Sequence, residues 1–300
     1  MRVAVTGASG LIGSALVPYL RAQGHEVERL VRRPAAALDE ISWDPERGTV
    51  DLHRLEGVDA VVHLAGKAVG DHRWNSAYKA LIRDSRVHGT RTIATAMASL
   101  DRRPSVLVSA SAIGYYGDTA DRAVDESAPA GSGYFAGVCV DWEAAADPAR
   151  AAGIRVVHSR NGLVVSGRGG AWGKLFPIVR LGVGGRLGSG RQWWSFISLR
   201  DHLAATSFLL GNLEGGVNVT APNPVTNAEM IRAMGRLLHR PTVLPVPAKV
   251  LEIVLGEFSS EVLGSLRILP TRLLDAGFMF EDPTIDRALA SAWASRSRRR

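Results

Sequence analysis

The stretch Arg2-Val3-Ala4-Val5-Thr6-Gly7-Ala8-Ser9-Gly10-Leu11-Ile12-Gly13 decides the fold. Val3-Ala4-Val5 is a short apolar run of the kind that forms a strand buried on both faces, and it leads into three glycines spaced three apart. Beyond them Leu11, Ile12, Ala15, Leu16, Tyr19 and Leu20 recur at three- and four-residue spacing, which predicts a helix closed at Gly24. Strand, glycine turn and helix in that order let backbone N–H groups and a helix N-terminus meet a pyrophosphate, where a side chain at Gly7, Gly10 or Gly13 would block close approach. Ser9, Leu11 and Ile12 complete this candidate phosphate cradle.

The same alternation continues along the chain. Residues 26–31 read as a second strand, and 60–64, 105–109 and 154–159 as further buried strands, separated by helical segments around 74–100 and 132–152. Short apolar strands alternating with helices predict an α/β fold: a Rossmann, doubly wound parallel sheet. Ten of the 32 glycines fall between Gly162 and Gly190, which predicts loops over a ligand on the substrate side around 162–195. Residues 207–210 read as a helix end and 217–219 as a strand. Thr226-x-x-Glu229 is a capping box ahead of a helix with Met230, Ala233, Met234, Leu237 and Leu238 on one face. The expected organisation is a dinucleotide-binding Rossmann domain over 1–225, a smaller C-terminal α/β substrate domain over 226–295, and a basic tail, 296–300, frayed after Trp293.

Composition excludes several classes. With 300 residues, 46% apolar and 22% charged, the chain can bury a sizeable core and is neither disordered nor fibrous. A lone Cys139 rules out an intramolecular disulfide and a cysteine-built zinc site, and the eight histidines show no metal-ligand spacing on one helix. Cys139 precedes Trp142 on an expected helix and reads as core rather than nucleophile. Met1 runs straight into the first strand without the features of a leader, and no apolar run reaches the ~18 residues of a membrane span. These features predict a soluble cytoplasmic protein. Of the formal charge of +7, Arg296, Arg298, Arg299 and Arg300 supply four, so the remainder is too small to argue for a nucleic-acid surface.

An NAD enzyme places an acidic residue at the end of the second strand to hold the ribose 2′-hydroxyl. Here Arg32 and Arg33 occupy that place, and guanidinium groups accept a 2′-phosphate, so the expected cofactor is NADP(H).

Several motifs carry a resemblance in order over nearly the whole chain. They are Thr6 to Gly13, His63-Leu-Ala-Gly66, Arg73-Trp74, Ser109-Ala-Ser-Ala-Ile-Gly-Tyr-Tyr-Gly-Asp118, Cys139-x-x-Trp142-Glu143 and Gly188-Ser-Gly-Arg-Gln192. Towards the end come Leu244-Pro-Val-Pro247, Leu255-Gly-Glu257, Leu269-Pro270 and Gly277-Phe-x-Phe280. The chain resembles the atypical, extended short-chain dehydrogenase/reductases known as epimerase family proteins, with their C-terminal domain of unknown function. The G-x-x-G-x-x-G spacing is the form that superfamily uses. The resemblance implies a nucleotide-binding fold related to sugar-nucleotide epimerases and dehydratases. It also implies that Leu64, Ala65 and Gly66 pass beneath the cofactor's ribose and nicotinamide. Ser109 and Ser111 fall where such enzymes carry the residue that hydrogen-bonds a substrate oxygen, and Ser111 is the preferred of the two.

The superfamily's Tyr-x-x-x-Lys pair is incomplete. Tyr134 stands at the expected distance after the serine, but four residues on is Val138. Without an ammonium beside it, the phenol stays near its ordinary pKa of ~10 and serves better as an acid or hydrogen-bond donor than as a base. Arg73-Trp74, Arg160-Asn161 and Trp193-Trp194 are further candidates to line a pocket. Two functions fit: an NADP(H)-dependent oxidoreductase or epimerase-like enzyme acting on a small molecule, and a non-catalytic NADP(H)-binding sensor or regulatory protein. Either is compatible with a homodimer, and neither needs a membrane or nucleic acid.

Overall fold

The computed structural model describes residues 1–297. Among them an eight-stranded sheet runs in the order Gly215–Val219, Arg155–Asn161, Val106–Ala112, Ala60–His63, Arg2–Thr6, Glu26–Val31, Glu40–Asp44 and Thr49–Val50. Every neighbouring pair is parallel except the last, which is antiparallel. Strand order reverses between Arg2–Thr6 and Ala60–His63, so the crevice outside their carboxyl ends is the switch point at which doubly wound folds bind ligands. The α/β, doubly wound expectation holds.

Helices cover both faces. On one, Leu16 and Leu20 of the Gly13–Ala22 helix and Leu209 of the Leu199–Gly211 helix pack on Val3, Val5, Val62 and Val108. On the other, Ile93 and Met97 of the Ser76–Ser99 helix meet Ala4, Val61 and Leu107. Central strands are therefore apolar on both sides, and each fully buried Leu or Ile contributes about 1.5–3 kcal/mol. A third core joins Trp172, Phe176 and Val179 to Met230, Met234, Ile285 and Leu289. The segment after 226 is mainly helical, with one short strand, Arg267–Ile268, paired in parallel with Ala123–Val124. Among the described residues, no helix is long and apolar enough to cross a membrane.

Three local expectations need correction. The strand Glu40–Asp44 extends the sheet beyond Glu26–Val31. The glycine-rich stretch contains an eleven-residue helix, Gly170–Arg180, whose Trp172, Phe176 and Val179 lie at four- and three-residue spacing and are buried. Such an apolar stripe outweighs the low helix propensity of the glycines. The last helix continues past Trp293 to Ser297; Arg298, Arg299 and Arg300 of the basic tail lie outside the described residues.

Candidate cofactor and active site

The glycine turn is built as a close approach of backbone to backbone. Gly7 has φ +64°, and a Cβ there would lie 2.9 Å from the Leu64 carbonyl carbon and 3.0 Å from the Ala65 nitrogen. A Cβ at Gly13 would lie 2.2 Å from the Gly7 oxygen, whereas at Gly10 the nearest atom, the same oxygen, would be 3.2 Å away. Gly7 and Gly13 thus close the turn on itself, and Gly10, exposed, keeps its outer surface free of a side chain. Ser9 is likewise exposed, while Leu11 and Ile12 are half-buried. No side chain caps the Gly13–Ala22 helix, which leaves the amides of its first turn without a side-chain acceptor and suits an anion there.

Thr6 ties this turn to the neighbouring strand. Its Oγ1 accepts from the Leu64 and Ala65 amides at 3.0 and 3.2 Å and lies 2.8 Å from His63 Nδ1. With two amides already donating, the hydroxyl proton goes to Nδ1, and the ring proton sits on the unpartnered Nε2. Burial lowers the His63 pKa to about 4, so this histidine is a neutral strut.

At the end of the second strand the two arginines differ. Arg33 forks onto Glu40, with Nη1 and Nη2 donating to the two carboxylate oxygens at 2.9 and 2.7 Å. Those bonds, with the Ala36 amide, hold the Glu40 carboxyl down at about 2. Arg32 is exposed and makes no ion pair among the described residues. Arg32 is therefore the guanidinium available to a 2′-phosphate, and Arg33 already has its anion.

Ser109 and Ser111 both lie on Val106–Ala112, buried, with Ser109 in register with His63. Ser111 Oγ donates to Glu143 Oε1 at 2.7 Å. Arg160 forks onto the same carboxylate, Nε to Oε1 at 2.8 Å and Nη2 to Oε2 at 2.9 Å. Its Nη1 donates to Tyr116 Oη at 2.9 Å, Tyr116 Oη donates to Asn218 Oδ1 at 2.7 Å, and the guanidinium lies 3.5 Å from the Tyr115 ring centroid. Burial opposes the Arg160 charge, yet Glu143 keeps its pKa above the ordinary arginine value. Ser111 is thus held by the carboxylate of the Arg160–Glu143 ion pair. The sequence offered Trp142-Glu143, Arg160 and Tyr115-Tyr116 as separate motifs, with nothing to say that they meet.

Tyr134 sits elsewhere. It opens the Tyr134–Ala144 helix and donates its hydroxyl proton to the Lys79 carbonyl oxygen, while Lys79 Nζ lies 4.9 Å from its ring centroid. Burial raises its pKa further. Trp74, Phe135 and Phe258 surround it. Ser111 and Tyr134 therefore share no partner. Tyr134 lines a cavity of about 260 Å³ with Trp74, Asp118, Glu257, Glu261 and Ser265; among the described residues no lysine or arginine lines it, and Glu257 is paired with Lys79 at 2.7 Å. Val138 is buried, and Cys139 is fully buried with its thiol pushed up to about 12, which makes it inert core. Trp193 donates Nε1–H to Asp121 at 3.1 Å and stacks under Arg267, away from Ser111.

Comparison with known proteins agrees with the resemblance carried by the motifs. The NAD dependent epimerase/dehydratase family model matches residues 3–222, and a domain of unknown function, DUF1731, matches residues 246–292. The chain belongs to the NAD dependent epimerase/dehydratase family. Epimerase family protein Mb2239 of Mycobacterium bovis is 47% identical over 293 residues, which is 97% of each chain. The crystal structure of human epimerase family protein SDR39U1 with NADPH is similar at a TM-score of 0.89 and 32% identity, over 97% of this chain and 99% of the human one. UDP-glucose 4-epimerase of Thermus thermophilus, solved with NAD, shares the fold at a TM-score of 0.75 and 20% identity, over 99% of each chain.

Proposed function

We propose that the chain is an NADP(H)-dependent oxidoreductase or epimerase-like enzyme acting on a small hydroxyl or carbonyl compound. The single observation that carries the cofactor is the glycine turn at the switch point beside an Arg32 with no anion of its own. The human relative crystallised with NADPH supports it. Gly7, Gly10 and Gly13 with the amides around Ser9, Leu11 and Ile12 would hold the pyrophosphate, Arg32 the 2′-phosphate, and Leu64, Ala65 and Gly66 the nicotinamide side. The cofactor supplies or accepts the hydride. On a carbonyl substrate Tyr134, released from the Lys79 carbonyl, would donate its proton to the oxygen as the carbon takes the hydride, and Ser111, whose own proton is held by Glu143, would accept a hydrogen bond only from the hydroxyl of the alcohol so formed. Glu257 in the cavity wall is paired with Lys79 at 2.7 Å and burial pushes the Glu261 carboxyl up, and among the described lining residues no basic side chain is left to hold a nucleoside diphosphate, so a neutral substrate suits it. The buried single thiol suits a reducing compartment such as the cytoplasm, and the chain needs no nucleic acid or membrane partner; a homodimer is compatible with it.

The second reading, a non-catalytic NADP(H) sensor, is favoured by one observation: the Tyr134 hydroxyl is already committed to the Lys79 carbonyl oxygen. Incubation of the protein with NADPH and a panel of small ketones and aldehydes, followed by absorbance at the nicotinamide band, separates the two. Oxidation of NADPH that Ser111→Ala abolishes supports the enzyme. Tight NADPH binding without turnover on any member supports the sensor, and absence of NADPH binding contradicts both.

A further inference from the structure

Arg86 is a buried cation without a counter-ion among the described residues. It lies in the Ser76–Ser99 helix with 8% of its surface exposed. Its Nη1 donates to the carbonyl oxygens of Lys67 and Ile82 at 2.9 and 3.0 Å, and its buried Nε has no partner among the described residues. The ionisable groups acting on it are Cys139, Tyr134 and Tyr78, and no carboxylate is among them. Its guanidinium carbon lies 4.9 Å from the Trp142 ring centroid and 6.0 Å from that of Phe135. A guanidinium taken out of water without an anion costs several kcal/mol, and a fold that only needed packing here would be more stable with an apolar side chain.

Its position gives the charge a use. A Cβ at Gly66 would sit 3.5 to 3.7 Å from Arg86 Cγ, Cζ and Nη1, so the guanidinium lies against the strand end assigned above to the nicotinamide side. The aromatic neighbours Phe135 and Trp142 belong to the Tyr134–Ala144 helix, and Val138, one turn from Tyr134 and one from Trp142, occupies the place of the superfamily's lysine. We infer that Arg86, reaching the site from the facing helix, replaces that lysine as the cation serving the nicotinamide half of the cofactor. Its charge is kept for the ribose hydroxyls on that side, while Nη1 fixes the Gly66–Lys67 segment beneath them.

The inference rests on the NADP(H) reading, and the test separates them by using two ligands: NADPH, and adenosine 2′,5′-bisphosphate, which carries the 2′-phosphate but no nicotinamide ribose. Calorimetric titration of the wild-type chain, Arg86→Gln and Arg86→Lys with both should show bisphosphate affinity within about twofold throughout, which also reports that each variant is folded. NADPH affinity should fall by about tenfold or more in Arg86→Gln and by about threefold in Arg86→Lys, which retains the charge without the planar fork. Should Arg86→Gln not fold, the change in the ratio of the two affinities in Arg86→Lys decides alone. Unchanged NADPH affinity, or equal losses for both ligands, overturns the role of Arg86. A wild-type chain that binds neither ligand overturns the cofactor reading, and this inference with it.

Discussion

Ser111 and Glu143 are joined by a 2.7 Å hydrogen bond from the serine hydroxyl to a carboxylate that Arg160 grips with two more. The side chains of Arg160 and Glu143 are only 7% and 12% exposed, so removing the carboxylate strands a buried guanidinium. Glu143→Ala should cost about 3–5 kcal/mol by urea denaturation. Ser111→Ala removes one bond to a charged acceptor and should cost about 1.5–3 kcal/mol at most. Equal, small losses in both variants would mean that the network does not anchor this part of the sheet.

The glycines of the turn should separate folding from binding. Gly13→Ala pushes a methyl into the Gly7 carbonyl and should lose about 3 kcal/mol or more of stability. Gly10→Val meets only one atom at 3.2 Å on an exposed position, so its melting temperature should change little while NADPH binding is lost. Retained binding in folded Gly10→Val would place the cofactor elsewhere.

Three buried histidines set an acid limit. Burial lowers the pKa of His63, His158 and His202 to about 4 from an unfolded value of 6.5. Between those values the unfolded chain binds more protons, so stability is complete above pH 6.5 and falls as pH drops toward 4. The slope is up to about 4 kcal/mol per pH unit where all three contribute. Urea midpoints at pH 7.5, 6 and 5 measure it, and a flat profile over that range would contradict neutral buried rings.

Much of the fold was legible because it rests on short-range signals. The Val3-Ala4-Val5 run, the glycine spacing and the 3.6-residue apolar stripes each specify a local structure, and their alternation specifies the sheet. Glu40–Asp44 was missed because its apolar residues, Ile41 and Trp43, are too few to stand out from the surrounding polar residues. The Gly170–Arg180 helix was missed because glycine density outvoted Trp172, Phe176 and Val179. At the candidate site, spacing singles out the glycines, Ser111 and Tyr134 but carries no sign of the side chains and carbonyls they bond. Glu143 reaches Ser111 across 32 residues and Arg86 reaches Lys67 across 19, contacts made by tertiary packing that carry no period in the sequence.

The same limit governs repair of the tyrosine–lysine pair. Spacing alone makes Val138→Lys the obvious restoration, but Val138 is 2% exposed on the helix that packs against Arg86. An ammonium there would be buried beside a second cation, so Val138→Lys should lower the melting temperature and give no gain in NADPH oxidation. A stable variant with raised, Tyr134-dependent activity would show that the position opens to the cofactor.

Cofactor preference tests the central claim most directly. Arg33 is occupied by Glu40 and Arg32 has no ion pair among the described residues, so calorimetric titration should give NADPH at least about tenfold tighter than NADH, roughly 1.4 kcal/mol. Arg32→Ala should erase most of that difference, and Arg33→Ala should retain more of it. Equal affinities for NADPH and NADH in the wild-type chain, or a preference unchanged in Arg32→Ala, would contradict the account.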